Sequence, residues 1–300
     1  MSDDSPIWRP SPAAVEEAAM TRFTRFVEER TGRRFPGYFD LHAWSTEDIP
    51  AFWDALWDFV GVEGEKGERI LVDGDRMPGA RFFPDARLNF AENLLSRADD
   101  TDALVFRGED KVARRMTWRE LAALVSRLQQ FLADAGVGVG DRVAAMMPNM
   151  PETVAAMLAT ASLGATFSSC SPDFGERGVL DRFGQIEPKV LFAPDGYWYN
   201  GKRIAVAEKL AAVVRQLPTL RKTVVVPYLG EERAVASAVP GAAPLEDALA
   251  AYDARTVAFT RVPFDQPLYI LFSSGTTGVP KCIVHSVGGI LLQHYKEHIL

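Results

Sequence analysis

Four hydroxyl side chains, Ser273, Ser274, Thr276 and Thr277, are interleaved with Gly275 and Gly278 and followed by Pro280 and Lys281. Glycines let backbone N–H groups close on oxygen atoms, hydroxyls add further donors, and a single lysine opposes negative charge. Such a run offers the chemistry of a polyphosphate cradle. It differs from the phosphate loop of the nucleoside triphosphatases, in which lysine directly follows glycine and precedes Ser or Thr; here Val279 and Pro280 intervene and Cys282 follows the lysine. Nor is it a dinucleotide fingerprint, because Gly275 and Gly278 stand three apart with no GxG pair. A flexible Ser/Gly/Thr linker is the bland alternative. A linker would not run from one apolar, strand-like stretch, Leu268 to Phe272, into another, Cys282 to His285.

Other residues bear chemistry more weakly. Ser168, Ser169 and Cys170 open a small polar loop, running to Phe174, after a strand-like stretch that ends near Ser168. Open α/β sheets place ligands at such strand ends, and a helix-capping turn is the equal alternative. Cys170 has no base partner in view and reads as a small buried thiol rather than a nucleophile. His294, Glu297 and His298 spell a short inverted zinc-hydrolase pattern. No third ligand accompanies the pair, so no metal site is assigned. His285 reads as a polar residue near the loop.

The elements that must position these residues follow from periodicity and punctuation. Ser11-Pro12 starts a helix through Phe23 and Phe26. Ser45 to Asp48 caps a second, whose Phe52, Trp53, Leu56, Trp57, Phe59 and Val60 form a packing stripe. Residues 77–95 are rich in turns and enter a short helix. From residue 103 strands and helices alternate. A hairpin turns around Gly108; Thr117 and Glu120 form a capping box for a helix through Ala133. Arg142 to Met147 is a buried strand, Pro151 opens a helix to Leu163, and Ala165 to Ser168 is a strand. A helix precedes the Lys189 to Ala193 strand, and Asn200-Gly201 marks a tight hairpin. Residues 206–216 form a helix, Lys222 to Val226 a strand, and 230–266 a connector with a short helix near Leu245 to Tyr252. Gly288-Gly289 precedes a last helix to Leu300. This rhythm predicts an α/β domain with a parallel sheet and an amino-terminal helical segment. A polar link near Asp99 places a boundary at about residue 97, dividing 1–97 from 98–300.

Composition is that of an ordinary globular chain: 300 residues, 47% hydrophobic, 24% charged. Its net charge of −7 argues against nucleic acid or an anionic membrane as the main partner. The two cysteines, Cys170 and Cys282, form no CxxC pair. The start of the chain is acidic and no signal core follows it; the most apolar stretch, 154–167, is too short to span a bilayer. A cytoplasmic setting is expected.

The run from Ser273 to Lys281 resembles the signature loop of the acyl-adenylate-forming enzymes, with Cys282 standing where glycine is usual. Thr117 to Leu121 and Leu163 to Phe167 resemble two further phrases of that family. Phe82-Phe83 with Leu88-Asn89 and Asn93 is similar to the amino-terminal phrase of its short-chain acyl-CoA synthetases, in the spelling of the acetoacetate-activating branch.

The resemblance implies the family's large-domain fold in incomplete form, and an ATP-dependent ligation of acetoacetate to CoA through an acyl-adenylate, with Mg2+. It implies that Ser273, Ser274, Gly275, Thr276, Thr277, Gly278 and Lys281 hold the ATP phosphates. Ser168, Ser169 and Cys170 would lie along the CoA tunnel, and Lys202 and Arg203 would meet the CoA phosphates; the residues by themselves read as an exposed basic turn with no partner. The family's later pieces, including its catalytic lysine, are expected beyond residue 300, so no residue here is assigned a catalytic role. Two other readings stay open: a non-catalytic nucleotide-binding or interaction module, and a ligase for another short acid such as acetate, propionate or butyrate.

Overall fold

The computed structural model describes residues 6–273 and 278–300. The amino-terminal part is helical. Helices α1 (Pro12–Glu17) and α2 (Ala19–Thr31) are separate because Ala18 adopts extended backbone between them. Helices α3 (Tyr38–Glu47) and α4 (Ile49–Val60) follow. The expected cap at Ser45 belongs instead to the last turn of α3, where its hydroxyl donates to the His42 carbonyl at 2.7 Å. Asp48 is the true cap of α4, accepting from the Ala51 N–H at 3.2 Å, with Pro50 in the first turn.

The aromatic stripe of α4 packs, as its spacing predicts. Phe52 and Phe59 lie edge-on to Phe23, inside a small core with Val27, Leu41 and Trp44. Trp57 turns the other way, onto Phe83 at 5.0 Å between ring centres. Four short strands follow, β1 (Gly64–Glu65), β2 (Leu71–Val72), β3 (Arg81–Phe82) and β4 (Arg87–Leu88), then α5 (Phe90–Leu94).

Asn89 explains why that phrase takes an asparagine. Fully buried, it caps α5 by accepting from the Ala91 and Glu92 N–H groups. Its amide donates to the carbonyls of Ala161 and Thr260 at 2.9 and 2.8 Å. One side chain thus satisfies backbone groups on three segments.

The hairpin of β5 (Asp102–Gly108) and β6 (Val112–Thr117) leads into α6 (Trp118–Asp134), capped by Thr117 and Glu120 as expected. Then come β7 (Arg142–Met146), α7 (Pro151–Ser162), β8 (Thr166–Cys170), α8 (Glu176–Ile186) and β9 (Val190–Pro194). The hairpin of β10 (Gly196–Tyr199) and β11 (Lys202–Ala205) precedes α9 (Ala207–Arg215), β12 (Lys222–Val226), α10 (Glu232–Ala238), β13 (Ala242–Pro244) and α11 (Leu245–Leu249). The described chain closes with β14 (Val262–Pro263), β15 (Pro267–Phe272), β16 (Cys282–Ser286) and α12 (Val287–Ile299).

The main sheet has seven strands in the order β13-β12-β9-β7-β8-β15-β16. All neighbours are parallel except β15 and β16, which form an antiparallel hairpin. Strand side chains alternate between two cores. Val143, Ala145, Phe192 and Val224 face α6 and α7, whereas Ala144, Met146, Cys170, Leu191 and Ile270 face α8 and α9. Both faces are covered, which is why these strands are near-continuous apolar runs. Helix α12 takes in Gly288 and Gly289 rather than following them, because Ser286 caps it by accepting from the Gly289 N–H at 3.3 Å. Among the described residues β16 is a sheet edge, and its Ile283 and Val284, with Leu271 of β15, are exposed.

Candidate functional site

The chain runs from β7 to β8 on one side and then returns to place β9 on the other. Such a switch opens a crevice at the carboxyl ends of parallel strands. The ends of β8, β9 and β15 all lie on that rim, because these strands run parallel to β7 or to one another.

At the rim β15 turns into β16. Phe272 pairs with Cys282, and the Ser273 N–H donates to the Lys281 carbonyl at 3.1 Å. Ser273 and Lys281 therefore stand opposite each other at the neck of the hairpin. Gly278 has φ of +95°, a conformation that favours glycine. Lys281 is exposed on the outgoing limb. Ser274, Gly275, Thr276 and Thr277 lie outside the described residues.

Beside the hairpin, β8 runs two residues further than expected. Ser168, Ser169 and Cys170 are strand residues rather than loop residues, held by pairing with Ala144, Ala145 and Met146 of β7. The Ser168 hydroxyl is buried and donates to the Ile270 carbonyl of β15 at 2.7 Å. Ser169 points to the other face and is half-buried. Cys170 is buried, and burial pushes its thiol up to about 12, with Arg182 and Lys209 opposing the shift. That value leaves the sulfur protonated and unreactive.

The loop after β8 is pinned by polar contacts that sequence spacing did not reveal. Asp173 accepts from the Tyr197 hydroxyl at 2.6 Å. Lys209 of α9 donates to the carbonyls of Pro172 and Phe174; burial lowers its pKa, and the Asp173 charge opposes that. Arg182 of α8 stacks on Phe174 at 4.0 Å. Buried Asp195, just after β9, accepts from the Tyr228, Leu229 and Glu231 N–H groups at 2.7–2.8 Å and folds the segment after β12 over the same rim. None of these residues carries a periodic signal; Asp173, Lys209 and Asp195 act across 24 to 37 residues of sequence.

Lys202 and Arg203 sit on the β10–β11 hairpin, whose Asn200 and Gly201 both have positive φ as a two-residue turn requires. Arg203 pairs with Glu231 at 2.7 Å and lies 6.0 Å from the Trp198 ring centre. Lys111 approaches the same ring at 5.7 Å. The turn is exposed and joins the rim through β9. His285 faces Tyr269 at 5.3 Å between ring centres, on β16 near the hairpin as its sequence position suggests. His294 and His298 are neighbours on α12, 5.9 Å apart, and burial lowers the pKa of His294. Among the described residues no group of three or more His, Cys, Asp or Glu could hold a metal ion. No described helix is long and apolar enough to cross a membrane.

Comparison with known proteins gives a consistent picture. Residues 90–298 match the profile of the family described as AMP-binding enzyme, and residues 38–94 that of the acetyl-coenzyme A synthetase N-terminus. The chain is 60% identical over 298 residues to the acetoacetyl-coenzyme A synthetase of Rhizobium meliloti (strain 1021), covering 99% of this chain and 46% of that protein. It is 40% identical over 303 residues to the acetoacetyl-CoA synthetase of Macaca fascicularis, covering 98% and 45%. Among solved structures it is similar to the acetoacetyl-CoA synthetase from Streptomyces lividans, with 43% identity, a TM-score of 0.89, and coverage of 98% and 45%. The chain thus spans a little under half the length of these relatives.

Proposed function

We propose, from the premise that this chain belongs to the AMP-binding enzyme family, that it forms the ATP- and CoA-facing part of a ligase joining acetoacetate to CoA. The observation that carries the reading is the hairpin at the carboxyl rim, which places Ser273 and Lys281 opposite each other beside the end of β8. The names of the similar proteins support acetoacetate as the acid.

In the first step an oxygen of the carboxylate attacks the α-phosphorus of ATP in line and pyrophosphate departs. Ser273, Ser274, Gly275, Thr276, Thr277, Gly278 and Lys281 bind the departing phosphates. The work is positioning and charge stabilisation, with no covalent bond to the protein. In the second step the CoA thiolate attacks the acyl carbon and AMP leaves. Ser168 and Cys170 build the wall beside the thiol's approach, Ser169 lines it, and Lys202 and Arg203 meet the phosphates of CoA. Mg2+ supplies charge neutralisation to the phosphates when bound. No carboxylate cluster gathers for it among the described residues, so none is assigned to it. Residues 1–97 act as an amino-terminal segment and 98–300 as the first part of the adenylating domain, working in the cytoplasm.

The test is isotope exchange between pyrophosphate and ATP, run with acetoacetate, acetate, propionate and butyrate, on this chain and on a polypeptide of the relatives' length. Exchange that depends on acetoacetate in the longer polypeptide is expected. Absence of exchange with every short acid there would refute the ligase reading.

A further inference from the structure

Helix α8 reaches the phosphate hairpin from outside with two side chains one turn apart. Gln185 donates from Nε2 to the Pro280 carbonyl at 2.9 Å, and its Oε1 accepts a weak bond from the Cys282 thiol at 3.7 Å. Arg182 packs its guanidinium carbon 5.8 Å from the Phe272 ring centre while stacking on Phe174. Its Nη1 donates to the Gly178 carbonyl at 2.7 Å, which fixes the stack. Gln185 thus holds the limb that carries Lys281, and Arg182 packs on the limb that ends at Ser273.

Gln185 is exposed and Arg182 half-buried, so both contacts lie at the surface, Arg182 on the outer side of a ring, Phe272, that itself packs on the core. The hairpin needs such support. Among the described residues β16 pairs with β15 alone, so one side of the outgoing limb has no backbone partner. Pro280 has no N–H, and its carbonyl is therefore the one backbone hydrogen-bonding group it offers. Pinning that carbonyl fixes the residue directly before Lys281, and with it the point from which the ammonium reaches an anion.

We propose that Arg182 and Gln185 are positioning residues that preorganise the two limbs of the phosphate hairpin at Ser273 and Lys281, with Arg182 also tying the incoming limb to Phe174 of the loop after β8. The inference rests on the reading of the hairpin as the ATP phosphate cradle. Preorganised donors lose less on binding than donors that must first be ordered.

The two cysteines supply an internal test, because Cys282 is exposed in the hairpin and Cys170 is buried beneath the rim. In the full chain, iodoacetamide labelling of each thiol is followed by mass spectrometry, and MgATP and CoA affinities are measured by titration calorimetry. Gln185→Ala is expected to speed labelling of Cys282 while Cys170 stays protected. It should weaken MgATP about five-fold, the factor carried by one ordinary hydrogen bond, and leave CoA affinity unchanged. Arg182→Met should act in the same direction. Lys281→Ala checks the parent reading. If it weakens MgATP while Gln185→Ala changes neither labelling nor affinity, the positioning role is wrong and the cradle stands. If Lys281→Ala leaves MgATP affinity unchanged, the cradle falls and the positioning role falls with it. Should Gln185→Ala also uncover Cys170, the fold is lost; Gln185→Met, which keeps the volume without the donor, then decides by the same two criteria.

Discussion

The Ser168 hydroxyl donates to the Ile270 carbonyl at 2.7 Å, a bond inside the sheet that ties together the two strands whose ends carry the candidate site. The hydroxyl is spent on structure. Ser168→Ala should therefore cost about 1 kcal/mol, the net worth of an ordinary hydrogen bond, and leave CoA affinity as it was. Chemical denaturation and calorimetry check the two halves of this expectation. A CoA defect without a stability change would assign the hydroxyl to the ligand instead.

Asn89 sets a sharper requirement, because it is both acceptor and donor. Asn89→Asp keeps the cap on α5 but replaces two donors with a carboxylate facing the carbonyls of Ala161 and Thr260. Buried acceptors left without donors cost about 1–3 kcal/mol, and more beside a charge, so a loss of at least that size is expected in a denaturant melt. Asn89→Asp behaving like the parent chain would mean that these bonds contribute nothing.

Cys170 should make stability fall at high pH. Its pKa in the folded chain is raised to about 12 from an ordinary value of 9.0, with burial as the largest cause. Because the folded value lies above the unfolded one, the contribution is complete below pH 9 and is lost as pH rises toward 12. The steepest loss from one proton is about 1.4 kcal/mol per pH unit. Other groups titrate in this range, so the measurement is the difference between the parent and Cys170→Ala across pH 8.5–11. The gap between them should narrow as pH rises.

Gly288 sits at the start of α12, where a Cβ would lie 2.1–2.4 Å from three atoms of the Phe264 ring. The ring cannot yield easily, since it stacks on Phe83 at 5.1 Å. Gly288→Ala should destabilise by about 1–3 kcal/mol through overpacking. Trimming the ring with Phe264→Leu should make the same substitution cheaper, a coupling that a double-mutant cycle in thermal melts reads directly.

Much of this arrangement was legible in the sequence where local chemistry is decisive. Thr117 and Glu120 form their capping box, Asn200 and Gly201 turn their hairpin, and the apolar runs of β7, β9 and β12 lie buried on both faces. Legibility failed where two local solutions competed. Ser45 and Asp48 are both good caps, and Asp48 is the one used because Ser45 lies inside the last turn of α3. The end of β8 was misplaced because Ser168, Ser169 and Cys170 look like loop residues, while pairing with β7 holds them in the sheet. Arg182, Gln185 and Lys209 were invisible for another reason. Charged and amide side chains on an amphipathic helix ordinarily face water, and nothing in their spacing announces a hairpin or loop brought in from elsewhere in the chain.

The rings of Trp57, Phe83 and Phe264 follow one another at 5.0 and 5.1 Å, drawn from α4, from the segment after β3 and from the stretch that leads into β15. A cut at residue 97 would pass through this column rather than beside it. The piece that kept Phe264 would present a bare aromatic face where Phe83 had been, and the other piece would present Phe83 itself. The two parts are therefore expected to be poorly soluble when expressed separately and to recover when expressed together, so that the amino-terminal helices behave as an inseparable buttress for the strand that supports the rim.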